Sequence, residues 1–337
     1  MKTLITGGTG FVGLNITEEL LRRGDTVIAV GDRPMPEYAR QVLKGVGGEL
    51  VEANCDVADR DAVQALFERT RPDRVIHGAV ITAGEDREFR EFGRVVDVNL
   101  KGTANVLQSA LSIGVGKVVY VSSGSAYGDT LFAGAELTED SPPVPDSLYS
   151  ITKHASERVC ARFRRTRGLN VACVRLGSVF GPWERDTGVR DTLSLPMQIV
   201  QRAMRGEDIV FPSREPRRDW VYSRDVAGGL AAALEMPSFR HEIYCLSSGS
   251  AWTGVAADWC AHLRGIMPVL QARAARAEEV PNVVFFGERD RSVMSIRRLV
   301  TEAGFQPRFP QRAACADYAA WIKDHLAYVR TTPAGAA

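Results

Sequence analysis

Short apolar runs alternate with longer stretches of helical spacing along most of the chain. The runs are Thr3-Leu4-Ile5, Thr26 to Val30, Glu49 to Ala53, Asp73 to Val80, Lys117 to Ser122, Asn170 to Leu176 and Glu242 to Ser247. Most are rich in β-branched residues and bounded by polar or small ones, the pattern of buried strands. Between them apolar residues recur every three or four positions, as in Ile16, Leu20 and Leu21, in the stretch Ala62 to Arg69, and in Val106, Leu107, Ala110 and Leu111. That alternation predicts an α/β fold on a parallel, doubly wound sheet. Beyond about residue 248 short helices and loops alternate to about 330, and Ala303-Gly304-Phe305-Gln306-Pro307 carries a helix-ending Gly and Pro. Thr331 to Ala337 is small and polar and reads as a frayed tail.

The first run leads straight into Gly7-Gly8-Thr9-Gly10-Phe11-Val12-Gly13 and then a helix. A strand, a glycine turn and a helix form the first half of a dinucleotide (Rossmann) site. Without Cβ atoms the backbone can approach a pyrophosphate, and the helix N-terminus faces its charge. Gly7, Gly10, Phe11, Val12 and Gly13 are therefore candidate cofactor contacts. The second run ends at Asp32-Arg33. An acidic residue there suits the ribose hydroxyls of NAD and an arginine suits the 2′-phosphate of NADP, so NAD is favoured with NADP open. Asp56, followed by Val57, either accepts from an adenine amino group or caps the helix around Ala62. The fourth run ends in Gly78-Ala79-Val80, small residues at the edge where parallel sheets bind ligands. His77 within it reads as a packed strand residue.

Bulk numbers narrow the class. Among 337 residues, Lys plus Arg (42) balance Asp plus Glu (41), so charge favours neither nucleic acid nor an acidic membrane. Six scattered cysteines without a CxxC point to reduced thiols in a cytoplasm, and five histidines show no metal-ligand spacing. The first strand begins too early to leave room for a signal peptide, and no apolar run reaches membrane-spanning length.

The fifth run ends in Ser122-Ser123-Gly124-Ser125-Ala126-Tyr127-Gly128, and Tyr149-Ser150-Ile151-Thr152-Lys153 follows a Pro-rich loop. On a helix Tyr149 and Lys153 share a face. A phenol with a pKa near 10 must drop by roughly 3 units, or about 4 kcal/mol, to serve as a base at neutral pH. Two close cations, an ammonium and a nicotinamide, would favour the phenolate.

Together Gly7-x-x-Gly10-x-x-Gly13, Asp56-Val57, Asn99, Ser123 and Tyr149-x-x-x-Lys153 resemble the extended short-chain dehydrogenase/reductases, the NAD-dependent epimerase/dehydratase group. The resemblance implies Tyr149 as acid/base, Lys153 on the nicotinamide ribose and on the phenol, Ser123 on the reacting oxygen, and Asn99 in support. It also implies a dinucleotide-binding part, 1–178, rejoined by about 218–248, with 179–217 and 249–330 forming a smaller α/β substrate-binding region. Relatives acting on nucleotide sugars commonly carry Asn where Ser178 stands here. In Arg217-Arg218-Asp219-Trp220 the family's phosphate grip maps to Arg218, although such a pair also serves to fix a loop. Ser125, Ser178, Arg218 and Arg291 are the candidate substrate contacts. The charged stretch Glu184 to Asp191 either lines a polar pocket or is a solvated loop.

The leading expectation is epimerisation of a sugar-like, polar or anionic substrate through a transient ketone. The alternatives are net dehydrogenation or reduction of a free sugar, sugar acid or other hydroxy compound, and a non-catalytic dinucleotide-binding protein. Gly124 and Ser125 bring no carboxylate to protonate a leaving hydroxyl, which disfavours dehydration. Val106, Ala110, Ala155, Val159 and Phe163 either pair two copies in a homodimer or pack on the sheet.

Overall fold

The structure is a computed structural model that describes residues 1–285 and 287–330; the tail at 331–337 lies outside them. Its strands are β1 (Lys2–Thr6), β2 (Thr26–Gly31), β3 (Glu49–Asn54), β4 (Arg74–His77), β5 (Lys117–Ser123), β6 (Val171–Leu176), β7 (Ser178–Phe180), β8 (Ile209–Phe211), β9 (Trp220–Tyr222), β10 (Ile243–Leu246) and β11 (Ala272–Ala274). Seven of them, one from each apolar run, form a parallel sheet in the order β10-β6-β5-β4-β1-β2-β3. Neighbours alternate between its faces, as the two-residue period of a strand requires. Ile5, Ala29, Ile76 and Val119 enter the core on one side, while Leu4, Ile28, Val30, Val75 and Val118 enter the core on the other.

The chain reverses its direction of winding at β1, which pairs with β2 on one side and β4 on the other. A crevice opens at that point, beyond the carboxyl ends of the strands. The fourth strand stops at His77, short of the expected Val80. Thr6 ends the pairing there: its carbonyl accepts from Gly78 N at 3.0 Å, and its hydroxyl accepts from Gly78 N and Ala79 N at 3.2 and 3.3 Å. Two further parallel pairs, β7 with β9 and β8 with β11, were not expected. Strands of three residues are too short to show a period.

Two alternatives that the sequence left open are decided for particular residues. The helix Arg60–Thr70 is capped by Asp59, whose carboxylate accepts from Asp61 N and Ala62 N at 3.1 and 3.0 Å, and not by Asp56. Val106 and Ala110 are fully buried under the sheet of their own chain and offer no area to a second copy.

The helix Leu148–Arg167 begins with a capping box, Ser147 Oγ accepting from Ser150 N and Ser150 Oγ accepting from Ser147 N. Its buried Glu157 receives Arg175 of β6 through two bonds of 2.8 and 2.7 Å and the Ser122 hydroxyl of β5 at 2.7 Å. This pair fixes the helix, and hence its first turn, against the strand ends. Removing one member of a buried pair leaves the other charge uncompensated. Arg175→Met is therefore expected to lower the unfolding free energy in urea by about 3–5 kcal/mol, whereas a loss below about 1 kcal/mol would place the pair among weak surface contacts.

Candidate active site

A cleft of about 560 Å³ lies over the crevice. At its floor the backbone approaches itself more closely than side chains allow. Gly7 has φ +72°, and a Cβ on Gly13 would stand 2.0 Å from the Gly7 carbonyl oxygen. The helix Phe11–Arg22 starts there with Gly10 at its cap, no side chain satisfying its first amides and no acidic residue in its first turn. Open N–H groups at the positive end of a helix fit a pyrophosphate. The cradle therefore suits a dinucleotide, and Gly7, Gly10, Phe11, Val12 and Gly13, the candidate contacts, all line the cleft.

Asp32 and Arg33 line one end with Asp56 and Val57. Arg33 is engaged, its Nη1 donating to Thr187 O at 2.7 Å. Asp56 accepts from Ala58 N at 2.9 Å and pairs with Arg94 at 2.8 Å. Partial burial works most strongly against the charged form, but the Arg94 hydrogen bond, the Ala58 N–H and the charges of Arg94 and Lys101 together outweigh it, and the carboxyl stays below its ordinary range. Gly78, Ala79 and Val80 form the wall between the two ends.

At the other end Ser123, Ser125, Tyr149, Lys153, Ser178 and Arg291 come together. Tyr149 sits in the first turn of its helix, where the macrodipole favours a negative charge. Burial nevertheless raises its phenol above the ordinary value; the Ser123 and Thr82 hydroxyls and the charges of Arg190 and Arg291 pull the other way. Lys153 Nζ lies 5.9 Å from the Tyr149 ring centre and donates to Val121 O at 2.7 Å, and burial brings its ammonium down to about 8. Besides the ammonium expected from the sequence, the charges of Arg190 and Arg291 act on the phenol. His77 is packed, bonded to the Thr6 and Thr103 hydroxyls, and burial holds it neutral with a pKa of about 3.

Two residues expected in the site stand outside the cleft lining. Asn99 accepts from Ile81 N at 2.8 Å and donates to Ile81 O and Thr152 Oγ1, tying the segment after β4 to the Tyr149 helix. It sits in a π-helical turn, Asp97–Lys101, that the sequence pattern does not signal. Arg218 is turned inward, its guanidinium donating to the carbonyls of Arg217, Gly287 and Arg289. The next residue, Asp219, is buried, with Oδ2 accepting from Met294 N at 3.1 Å and Oδ1 without a partner among the described residues. Sequence reasoning missed Thr82, which carries no motif, and did not decide on Glu184, Arg185 and Arg190, all of which line the cleft. The density of charge in that loop was the only available signal.

With this geometry in place, comparison with known proteins is decisive. Residues 3–246 match the NAD dependent epimerase/dehydratase family. The chain belongs to that family. It is 28% identical over 341 residues to a dTDP-glucose 4,6-dehydratase of an Actinoplanes species, covering 96% of this chain and 98% of the other. It is 30% identical over 247 residues to UDP-glucuronate 4-epimerase 4 of Arabidopsis thaliana, covering 70% of this chain and 54% of that protein. Among solved structures, Thermus thermophilus UDP-glucose 4-epimerase in complex with NAD superposes with a TM-score of 0.76 at 26% identity, covering 99% of this chain and all of the other. NAD as the cofactor accords with the cradle's fit to a dinucleotide.

Two measurements follow from this site. Gly13→Ala pushes a methyl group into the Gly7 carbonyl, and calorimetric titration is expected to show NAD affinity reduced by about tenfold or more; unchanged affinity would contradict the cradle. Burial pushes the Asp219 carboxyl up to about 7. The fold favours its protonated form, so this contribution to stability is full below about pH 4 and is lost as pH rises to about 7. Asp219→Asn should therefore raise the melting temperature, relative to the parent, more at pH 8 than at pH 5; an equal effect at both would contradict the assignment.

Proposed function

We propose that this protein is an NAD-dependent epimerase of a sugar carrying an anionic group, most simply a nucleotide-linked sugar, and that it works through a transient ketone. The observation that carries this reading is the Tyr149 phenol set among the hydroxyls of Ser123 and Thr82, with Arg190 and Arg291 opposite, in the same cleft as the dinucleotide cradle. Relatives named for UDP- and dTDP-linked sugars support the substrate class.

Ser123 and Thr82 hold the hydroxyl of the reacting carbon, and Tyr149 takes its proton. NAD, when bound, supplies an acceptor for the hydride and its return. Tyr149 gives the proton back once the ketone has turned its other face, so the configuration inverts and the cofactor ends as it began. The Ser123 and Thr82 hydroxyls and the charges of Arg190 and Arg291 offset part of the burial cost of the phenolate. With Arg218 turned inward, the anion contacts fall to Arg291, which donates to Ser178 Oγ at 3.4 Å, and to Arg190 and Arg185. Gly124 and Ser125 put no carboxylate beside Ser123, which favours epimerisation over dehydration.

The same reading places the protein in a reducing cytoplasm, since all six cysteines are free and buried. Among the described residues no helix is long and apolar enough to cross a membrane. A homodimer is kept in the reading on the partly exposed Ala155, Val159 and Phe163 of the Tyr149 helix.

Tyr149→Phe is expected to lower kcat for UDP-sugar inversion by about 10²-fold or more while NAD stays bound. The parent should form the inverted sugar without accumulating reduced nicotinamide. A Phe variant with near-parental turnover, or a parent that reduces NAD mole for mole, would overturn the proposal.

A further inference from the structure

The loop after β7 does more than line the cleft. Its root is rigid: buried Trp183 holds a positive φ of 68° and its indole N–H donates to Glu18 Oε2 at 2.7 Å. Next to it, buried Glu184 accepts from Ser194 N at 2.7 Å. The loop 185–193 therefore leaves and returns at one point, the form of a compact Ω-loop. Its root is fastened to the helix Phe11–Arg22, where Asn15 Nδ2 donates to Pro182 O at 2.8 Å, and its tip reaches the end of β2, where Arg33 Nη1 donates to Thr187 O at 2.7 Å. Its other bonds are to the segment after β4, and in the order β4-β1-β2 the two sets lie two strand steps apart, or about 10 Å. The loop thus crosses the crevice above the glycine cradle.

On the way it is bonded to the opposite lip, the segment after β4. Thr82 N donates to Val189 O at 3.0 Å, Gly84 N to Asp191 Oδ2 at 2.7 Å, and Arg87 Nη1 to Gly188 O at 2.5 Å and Asp191 Oδ1 at 3.1 Å. Arg87 is itself steadied by Glu91 at 3.0 Å. A dinucleotide lying on the cradle lies beneath this bridge.

We propose that loop 185–193 is a strap that retains the cofactor, and that Arg33 and Arg87 are the positioning residues that latch it. The adenosine-end arginine is then a latch on a protein carbonyl and not a receptor for the 2′-phosphate of NADP. The latches lie at the rim, in contact with water, so each biases the closed strap by no more than about fivefold. The strap can therefore open to admit NAD and still slow its exit. Retention suits a reaction that returns its hydride within one binding event. The inference rests on NAD occupying this cleft and not on the epimerase outcome, so it is tested without sugar.

The experiment loads the full-length protein with NAD and follows exchange against isotopically labelled NAD by mass spectrometry. Arg33→Met, Arg87→Met and the double variant are compared with Arg165→Met, which loses only a surface pair with Glu242. The double variant is expected to release NAD about tenfold faster, and the Arg165 variant at the parental rate, with all melting temperatures close to parental. Trypsin gives a second reading, because Arg185 and Arg190 are cleavage sites within the strap. NAD should protect both in the parent and protect them poorly in the double variant. Parental exchange and protection in the double variant would overturn the proposal. So would an Arg33→Met effect confined to NADP, which would make that residue a 2′-phosphate receptor.

Discussion

The approach of Gly13 to the Gly7 carbonyl is the contact on which the rest of the molecule depends. It is possible only because neither residue carries a side chain, and it sets the Phe11–Arg22 helix with its open amides at the mouth of the β1/β4 crevice. Everything functional is then a matter of which chain segments reach that mouth. The strand ends supply Asp32, Gly78 and Ser123 in sheet order, the capped helix supplies Tyr149, and the loop after β7 crosses from above.

The proposed chemistry depends on a balance between burial and charge. Burial alone would leave the Tyr149 phenol too basic to lose its proton at neutral pH, and would also weaken the hold of Lys153 on its own proton. The hydroxyls of Ser123 and Thr82 and the arginines opposite act against that cost from outside the helix that carries the Tyr-x-x-x-Lys pair. Fold and electrostatics are linked through the Glu157–Arg175 pair, which seats the helix, and through Asn99, which joins it to Ile81 in the segment after β4.

Much of this was legible in the sequence. The seven strands of the sheet are all among the apolar runs, because a parallel sheet covered on both faces needs continuous apolar stretches, least so at the half-exposed edge strand β3. The glycine cradle and the Tyr149–Lys153 pair are local in the chain and so leave local motifs. What stayed hidden depends on residues far apart. Thr82 meets the 185–193 loop only in three dimensions, Asp59 competes with Asp56 for the same cap, and Arg218 finds carbonyls across the fold at Gly287 and Arg289. The charge of the 184–191 stretch was visible; that it spans the cleft was not, since a loop's path has no periodicity.

The central claim is that a hydride leaves the sugar and returns to it inside one closed cleft. The most direct measurement uses a UDP-sugar deuterated at the reacting carbon together with the holoenzyme and follows the label by mass spectrometry. The account predicts that the inverted product keeps the deuterium on that carbon, with no label in free coenzyme and none lost to water. Loss of the label to solvent, or its appearance in released coenzyme at one equivalent per turnover, would contradict it.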